Sequence, residues 1–186
     1  MKKLISLCIL FALPAAAADR LFSVKPGSTL SYTLVHKLHE VKGTSKEVEG
    51  KVKLNADGSV VLQLRAPVGS FDSANGNRDV HMKETVDAAK FPMVDFKGLS
   101  PRGSVAANPT GSAKIAVKGK LTFHGVTQDV ASTFDVTFTD ATHMMVKGSF
   151  PISLEGYGIE RPSLLTVKVE DKVQIDTNLT LEASAK

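Results

Sequence analysis

The chain has 186 residues, with 23 Lys and Arg against 19 Asp and Glu, and a formal net charge of +4 at pH 7. This near balance, with the basic residues spread along the sequence, argues against a nucleic-acid-binding protein. The only cysteine, Cys8, lies in an apolar amino-terminal stretch. The remainder has no thiol for a disulfide, a thiolate metal site or a nucleophile, so its core must hold the domain together.

Residues 1–18 have the pattern of a signal peptide. Two lysines precede an apolar core of ten residues, Leu4–Leu13, and a proline and four alanines follow. This order predicts cleavage after Ala18 and export of a mature domain over 19–186 to the periplasm or out of the cell. Loss of two lysines leaves 21 basic and 19 acidic residues, a charge of +2. No stretch is long enough to span a bilayer as a helix, so we predict no stable membrane anchor.

Most of the mature sequence alternates apolar and polar residues, which is the period of a β-strand. We interpret 19–27 as a short lead-in and 42–46 as a polar connection. Short turns between the strands imply antiparallel neighbours, and long one-sided strands need a closed barrel or a sandwich to bury their apolar face. We predict eight or nine strands, which include Leu30–His36, Val48–Leu54, Val60–Ala66, Met93–Lys97, Lys114–His124, Val130–Phe138, Met144–Leu154 and a last region ending at Leu181.

One stretch, Ser70–Phe96, breaks this alternation. Met82, Val86 and Ala89 are spaced as one face of a helix. The residues suited to cap its amino-terminal end are Asn75, Asn77 and Asp79, and Pro92 is expected to stop it. A single short helix among strands is expected to cover an open end or face of the sheet.

Three groups of residues follow one another over most of residues 28–182. They are Tyr32-x-x-x-His36 with Val41-x-Gly43 and Val48-x-Gly50; Phe71, Asn77-Arg78-Asp79-x-His81-Met82 and Phe91-Pro92-x-Val94-x-Phe96; and Val117-x-Gly119-x-Leu121-Thr122-Phe123-His124-Gly125-Val126-Thr127. In this order they resemble the signature of the YceI-like family. The resemblance implies an all-β fold, a lipocalin-like antiparallel eight-stranded β-barrel with one short helix inserted between strands. It also implies a periplasmic or secreted protein that holds a polyisoprenoid chain.

The sequence alone does not decide whether such a barrel is filled or hollow. A barrel of about eight strands is either packed with side chains or holds one small ligand. Several inward positions carry small residues, which either bend the strands or leave space. These positions are Gly50, Ala66, Gly119, Ser132 and Gly148. The family resemblance favours a cavity.

We therefore predict a non-catalytic protein that binds and sequesters or carries a polyisoprenoid, an isoprenoid quinone-like lipid or a similar amphiphile in the barrel. Arg78 would contact a phosphate or quinone oxygen of the head group. We predict no cofactor, and the sequence is compatible with a homodimer. The predicted ligand-binding residues are Tyr32, Leu34, His36, Val52, Leu64, Arg78, Met82, Phe91, Phe96, Phe123, Phe134 and Phe150.

Two other functions stay open. One is a metal protein or enzyme that uses His36, His81 and His124, although neither a zinc-protease HExxH pattern nor a GxSxG elbow is present. The other is an unliganded structural or interaction barrel. We expect His36 to be a hydrogen-bonded inward residue and His124 to be a turn residue. Because His36 and His39 are three residues apart, a strand would place them on opposite faces, unless a turn lies between them.

Two segments have a structural and a functional interpretation. Arg78-Asp79-x-His81 suggests acid–base chemistry, but the simpler interpretation is that Asp79 caps the helix and pairs with Arg78 or His81. The loop Gly156–Pro162, with one tyrosine between two glycines, is either a flap at the barrel mouth or a wide turn.

Overall fold

The computed structural model describes residues 18–36, 39–106, 109–164 and 167–184. The signal peptide predicted for 1–18 lies outside these residues except for Ala18. In the described part, no helix is long and apolar enough to cross a membrane. The strands are β1 Arg20–Val24, β2 Thr29–His36, β3 His39–Ser45, β4 Glu49–Leu54, β5 Val60–Pro67, β6 Met93–Leu99, β7 Gly111–Phe123, β8 Val126–Phe138, β9 His143–Ser153, β10 Ser163–Leu164, β11 Val167–Lys168 and β12 Lys172–Ala183; the helix α1 is Gly76–Thr85, and Val68–Ser70 and Glu155–Tyr157 are single 3₁₀ turns.

Eight antiparallel strands form a closed ring, which confirms the predicted barrel with one short helix. The order around the ring is β1, β4, β5, β6, β7, β8, β9 and β12, and β12 pairs back to β1. Closure pairs the backbone edges that an open sheet would expose. The alternation of the sequence is explained by this ring, since most apolar residues of its strands point inward.

The ring is extended on one side by the hairpin of β2 and β3. The strand β12 pairs with β1 near its carboxyl end, where Leu181 faces Val24, and with β2 further back, where Asn178 faces Thr29. The predicted lead-in therefore contains a barrel strand, β1. Its five residues were too few to show a clear alternation in the sequence. The predicted polar connection 42–46 was also wrong at Lys42–Ser45, because these residues pair with β2.

The outer edge of the β2–β3 hairpin is not continued by β5. It contacts the segment that follows β5 through a bridge between Thr44 and Asp72, with hydrogen bonds in both directions of 2.9 and 3.1 Å, and through a 2.7 Å hydrogen bond between the Ser45 and Ser70 hydroxyls. The wall therefore splits between β3 and the β5–β6 pair. Residues 68–92, which include α1, fill the split.

The two ends of the barrel differ in packing. At the end that carries the β4–β5 turn, called here the packed end, the loop after β6 folds across the interior. The Val105 amide donates to the Gly58 carbonyl at 3.0 Å, and the Val105 side chain is buried in the same apolar core as Phe138. The opposite end, called here the open end, carries the β2–β3 hairpin and α1.

The helix begins as expected but ends early. The Asn75 side chain accepts a hydrogen bond from the Arg78 amide at 3.1 Å, which caps the first turn. The expectation that the helix continues to Pro92 was wrong, because the chain turns at Asp87, whose φ is +47°. Aspartate tolerates this left-handed conformation. As a result Ala88, and not the exposed Ala89, packs against the core.

Two of the inward glycines leave room that neighbouring side chains fill. A side chain at Gly148 would occupy the space of the Phe134 ring on the paired strand. A side chain at Gly119 would likewise meet Phe96 at 2.7 Å. At these positions the small residues accommodate large neighbours, so the empty space in the barrel lies elsewhere.

We expect Gly148→Ala to lower the free energy of unfolding by about 1–3 kcal/mol, the usual cost of overpacking a core. The added methyl group must displace the Phe134 ring. The measurement is urea unfolding followed by circular dichroism. Gly69→Ala is the matched control, since no atom lies within 4 Å of its added carbon. Equal stability of the two variants would show that Phe134 is not held against Gly148.

Candidate functional site

A cavity of about 420 Å³ occupies the open end of the barrel. Its wall is mainly aliphatic and aromatic, and its contributors come from the strands, from α1 and from the segment that follows β9. Beyond the predicted residues, the lining includes Leu30, His39, Val41, Val48, Arg65, Ala66, Val68, Phe71, His81, Thr85, Val86, Val94, Leu121, Ile152, Leu154, Ile159, Pro162, Ser163, Val169, Val173, Ile175, Thr177 and Leu179.

Ten of the twelve predicted ligand-binding residues line this cavity: Tyr32, Leu34, His36, Leu64, Arg78, Met82, Phe96, Phe123, Phe134 and Phe150. The other two lie elsewhere. Val52 lines a second cavity of about 40 Å³ toward the packed end. Phe91 packs outside, with its ring 4.9 Å from the His124 ring, centroid to centroid. Alternation along a strand indicates which face is inward, but not how far along the barrel axis a residue lies.

Residues 154–163 cover part of the open end. The Tyr157 side chain is 1% exposed, and the hydroxyl donates to the Leu121 carbonyl at 3.3 Å. Burial raises the pKa of Tyr157 to about 12, so the phenol stays neutral. Ile159 is also buried and lines the cavity. The sequence signal for this cover was the presence of large apolar residues in a glycine-containing loop.

A polar cluster stands at the edge of the cavity, where α1 begins. The Arg78 guanidinium donates from Nε to the Ser73 hydroxyl at 2.8 Å and from Nη2 to the Ser73 carbonyl at 2.6 Å. Asp79 accepts from the Ser73 amide and hydroxyl, at 3.1 and 2.5 Å. The expectation that Asp79 caps the helix and pairs directly with Arg78 or His81 was wrong. Asn75 is the cap, and Asp79 is linked to Arg78 through Ser73.

Tyr32 brings a second polar group to this edge. Its ring lies over Gly43 on the paired strand, in the space that a larger residue would need, and 5.6 Å from the Phe71 ring. Burial raises the pKa of Tyr32, the negative charge of Asp79 adds to the effect, and Arg78 opposes it. The hydroxyl is therefore a neutral donor, and it has no hydrogen-bond partner among the described residues.

The three candidate histidines, His36, His81 and His124, divide between two places. His36 is buried, with Nε2 3.2 Å from the Val167 carbonyl oxygen, and faces His39 across the hairpin with ring centroids 5.4 Å apart. The antiparallel pairing of His36 with His39 overrides the alternation that set them on opposite faces. His81, which also lines the cavity, has Nδ1 3.9 Å from Glu84.

His124 lies apart from the cavity lining. It is a turn residue, as expected, with a φ of +49° and Nδ1 2.9 Å from the Tyr157 carbonyl oxygen. His36, His81 and His124 are therefore not brought to one site. Within the described ranges, no three His, Asp or Glu side chains are placed to hold a metal ion together.

Similarity to known proteins extends over most of the chain. A UPF0312 protein of Pseudomonas fluorescens strain SBW25 is 34% identical over 115 residues, which are 60% of this chain and 53% of the relative. The chain thus spans about half the length of that curated relative. A UPF0312 protein of Pseudomonas syringae pv. tomato strain DC3000 is 27% identical over 144 residues, 73% of this chain and 69% of the relative.

Two solved structures share the fold. A domain from Saccharophagus degradans, described as polyisoprenoid-binding and implicated in plant cell wall breakdown, has a TM-score of 0.72 at 19% identity, covering 88% of this chain and 98% of that one. BcnA of Burkholderia cenocepacia has a TM-score of 0.71 at 23% identity, covering 84% and 98%. The YceI-like domain model matches residues 23–181. The chain therefore belongs to the YceI-like family.

Proposed function

We propose that the cavity at the open end binds the apolar chain of a polyisoprenoid or similar amphiphile, and that the protein sequesters or carries this lipid without catalysis. The observation that carries the proposal is the cavity of about 420 Å³, with an almost wholly apolar wall and polar groups at its edge. The Saccharophagus degradans domain with the same fold, described as polyisoprenoid-binding, supports it. The predicted signal peptide would direct this activity to the periplasm or outside the cell.

The size of the cavity suits a short length of isoprenoid chain. A water molecule takes about 30 Å³ in the liquid, so the space holds roughly 14 groups of that size, comparable to two or three isoprene units. Each buried five-carbon unit would contribute about 3–4 kcal/mol before the costs of ordering. A chain of hydrocarbon needs no polar partner along its length, which matches a wall of leucine, valine and phenylalanine.

The head group would lie at the edge formed by Tyr32 and Arg78. Ser73 fixes the Arg78 guanidinium through two hydrogen bonds, so the cation is held in place before a ligand arrives. The Tyr32 hydroxyl adds a neutral donor. A cation and a hydroxyl donor together suit an oxygen-rich head group, such as a phosphate or a quinone.

We expect Leu34→Trp to lower the affinity for farnesol at least about tenfold, because the indole would occupy part of the cavity. The measurement is binding of radiolabelled farnesol by equilibrium dialysis. Val35→Trp is the matched control, since Val35 is the next residue on β2 and is 36% exposed on the outer face. Equal binding by both variants, or equal loss in both, would contradict binding in this cavity.

We expect Arg78→Ala to weaken binding of farnesyl phosphate by about tenfold to a hundredfold, and binding of farnesol much less, since a hydrogen bond to a charged group is worth about 1.5–3 kcal/mol. Ser73→Ala is the control, because it loosens the same loop and keeps the guanidinium. If both variants weaken both ligands to the same extent, Arg78 has only a structural role.

A further inference from the structure

Two cavities lie in series along the barrel and are separated by three side chains. The larger one, of about 420 Å³, is at the open end, and the smaller one, of about 40 Å³, is deeper. Leu64, Phe134 and Leu179 line both cavities. These three side chains, called here the floor, therefore stand between the two spaces.

The floor is contributed from all sides of the barrel. Leu64 is on β5, Phe134 on β8 and Leu179 on β12. Around the ring of eight strands, β8 is three positions from β5, β12 is two positions from β8, and β5 is three positions from β12. Each side chain is buried, with 8%, 4% and 1% of its surface exposed. Side chains that enter from three directions close the cross-section more completely than any one of them alone.

Glycines on paired strands hold two of the floor residues in place. The Phe134 ring occupies the space of a side chain at Gly148, and Leu64 does the same at Gly50, where an added carbon would be 2.7 Å from Cδ2. Each large side chain thus has a fixed position against the wall, set by a residue without a side chain. The floor is built into the packing of the barrel.

The space beneath the floor is too small to continue the cavity. A volume of about 40 Å³ holds roughly one water-sized group, whereas the space above holds roughly 14. On the upper side, the Phe96 and Phe150 rings stack with centroids 6.1 Å apart, and both line only the larger cavity. A chain that enters from the open end would therefore stop at this level.

We propose that Leu64, Phe134 and Leu179 set the length of apolar chain that the cavity buries, so that isoprene units beyond this length add little affinity. The inference rests on the proposed function. Farnesol fills the space above the floor, and the extra isoprene unit of geranylgeraniol remains at the open end, where it gains little. The wild-type protein should thus bind the two alcohols with similar affinity.

The test compares two phenylalanines on one strand. Phe134→Val joins the two cavities, whereas Phe138→Val enlarges the smaller cavity without opening the floor, because Phe138 lines that cavity only. Both residues are on the inward face of β8 and are similarly buried. The quantity measured for each protein is the ratio of the dissociation constants of farnesol and geranylgeraniol.

In Phe134→Val we expect geranylgeraniol to bind at least about tenfold more tightly than farnesol, since the extra unit becomes buried. In the wild type and in Phe138→Val the ratio should stay within about threefold of one. Leu64→Ala opens the same floor from the opposite wall. This variant replaces Phe134→Val in the measurement if circular dichroism shows that Phe134→Val does not fold.

Two results would overturn the inference: an unchanged ratio in a folded floor variant, or the same rise in Phe138→Val. If the wild type binds both alcohols while the floor variants leave the ratio unchanged, the result agrees with the proposed function and contradicts the proposed role of the floor. If the wild type binds neither alcohol, the proposed function fails as well, and the two failures are thereby distinguished.

Discussion

The pairing of β12 with two successive strands shapes the whole barrel. This twelve-residue strand pairs with β9 along almost its full length, and on its other edge it pairs first with β2 and then with β1. The wall on that side is therefore longer than the ring of eight strands requires. Because β3 finds no strand beyond it, the wall opens at one end, and a helix with its flanking turns fills the gap. The cavity is the interior space that this arrangement leaves unfilled.

Inside the barrel, the division between packed core and empty space follows the positions of a few glycines and aromatic residues. Phe96 over Gly119 and Phe134 over Gly148 place large rings against the wall. Below them, side chains such as Phe138 and Met144 pack the barrel more closely and leave only the cavity of about 40 Å³. Above them, wall residues point into a volume that their own side chains do not fill. The same small residues that let strands approach closely thus also determine where the empty space begins.

The face of each strand could be predicted from the sequence, and the depth of each residue could not. Alternation correctly placed Tyr32, Leu64 and Phe134 inside the barrel. It also led to the prediction that Val52 binds the ligand, although Val52 lies toward the packed end. Depth depends on strand register and tilt, which are set by pairing between distant segments.

Local exceptions to periodicity account for the other differences. The left-handed conformation of Asp87 ends the helix before Pro92, and the pairing of β2 with β3 brings His36 and His39 face to face. The role of Asp79 was missed because Ser73, six residues earlier, is the partner that links it to Arg78. Such contacts depend on the path of the loop, for which spacing in the sequence gives no signal.

The central claim is that the cavity at the open end holds a lipid, and native mass spectrometry tests it most directly. The protein would be purified from the organism that makes it, without detergent, and its mass compared before and after extraction with organic solvent. We expect a one-to-one adduct that extraction removes and identifies as an isoprenoid or a similar amphiphile. A protein that carries no lipid and takes up no added farnesol would contradict the claim and favour an unliganded barrel.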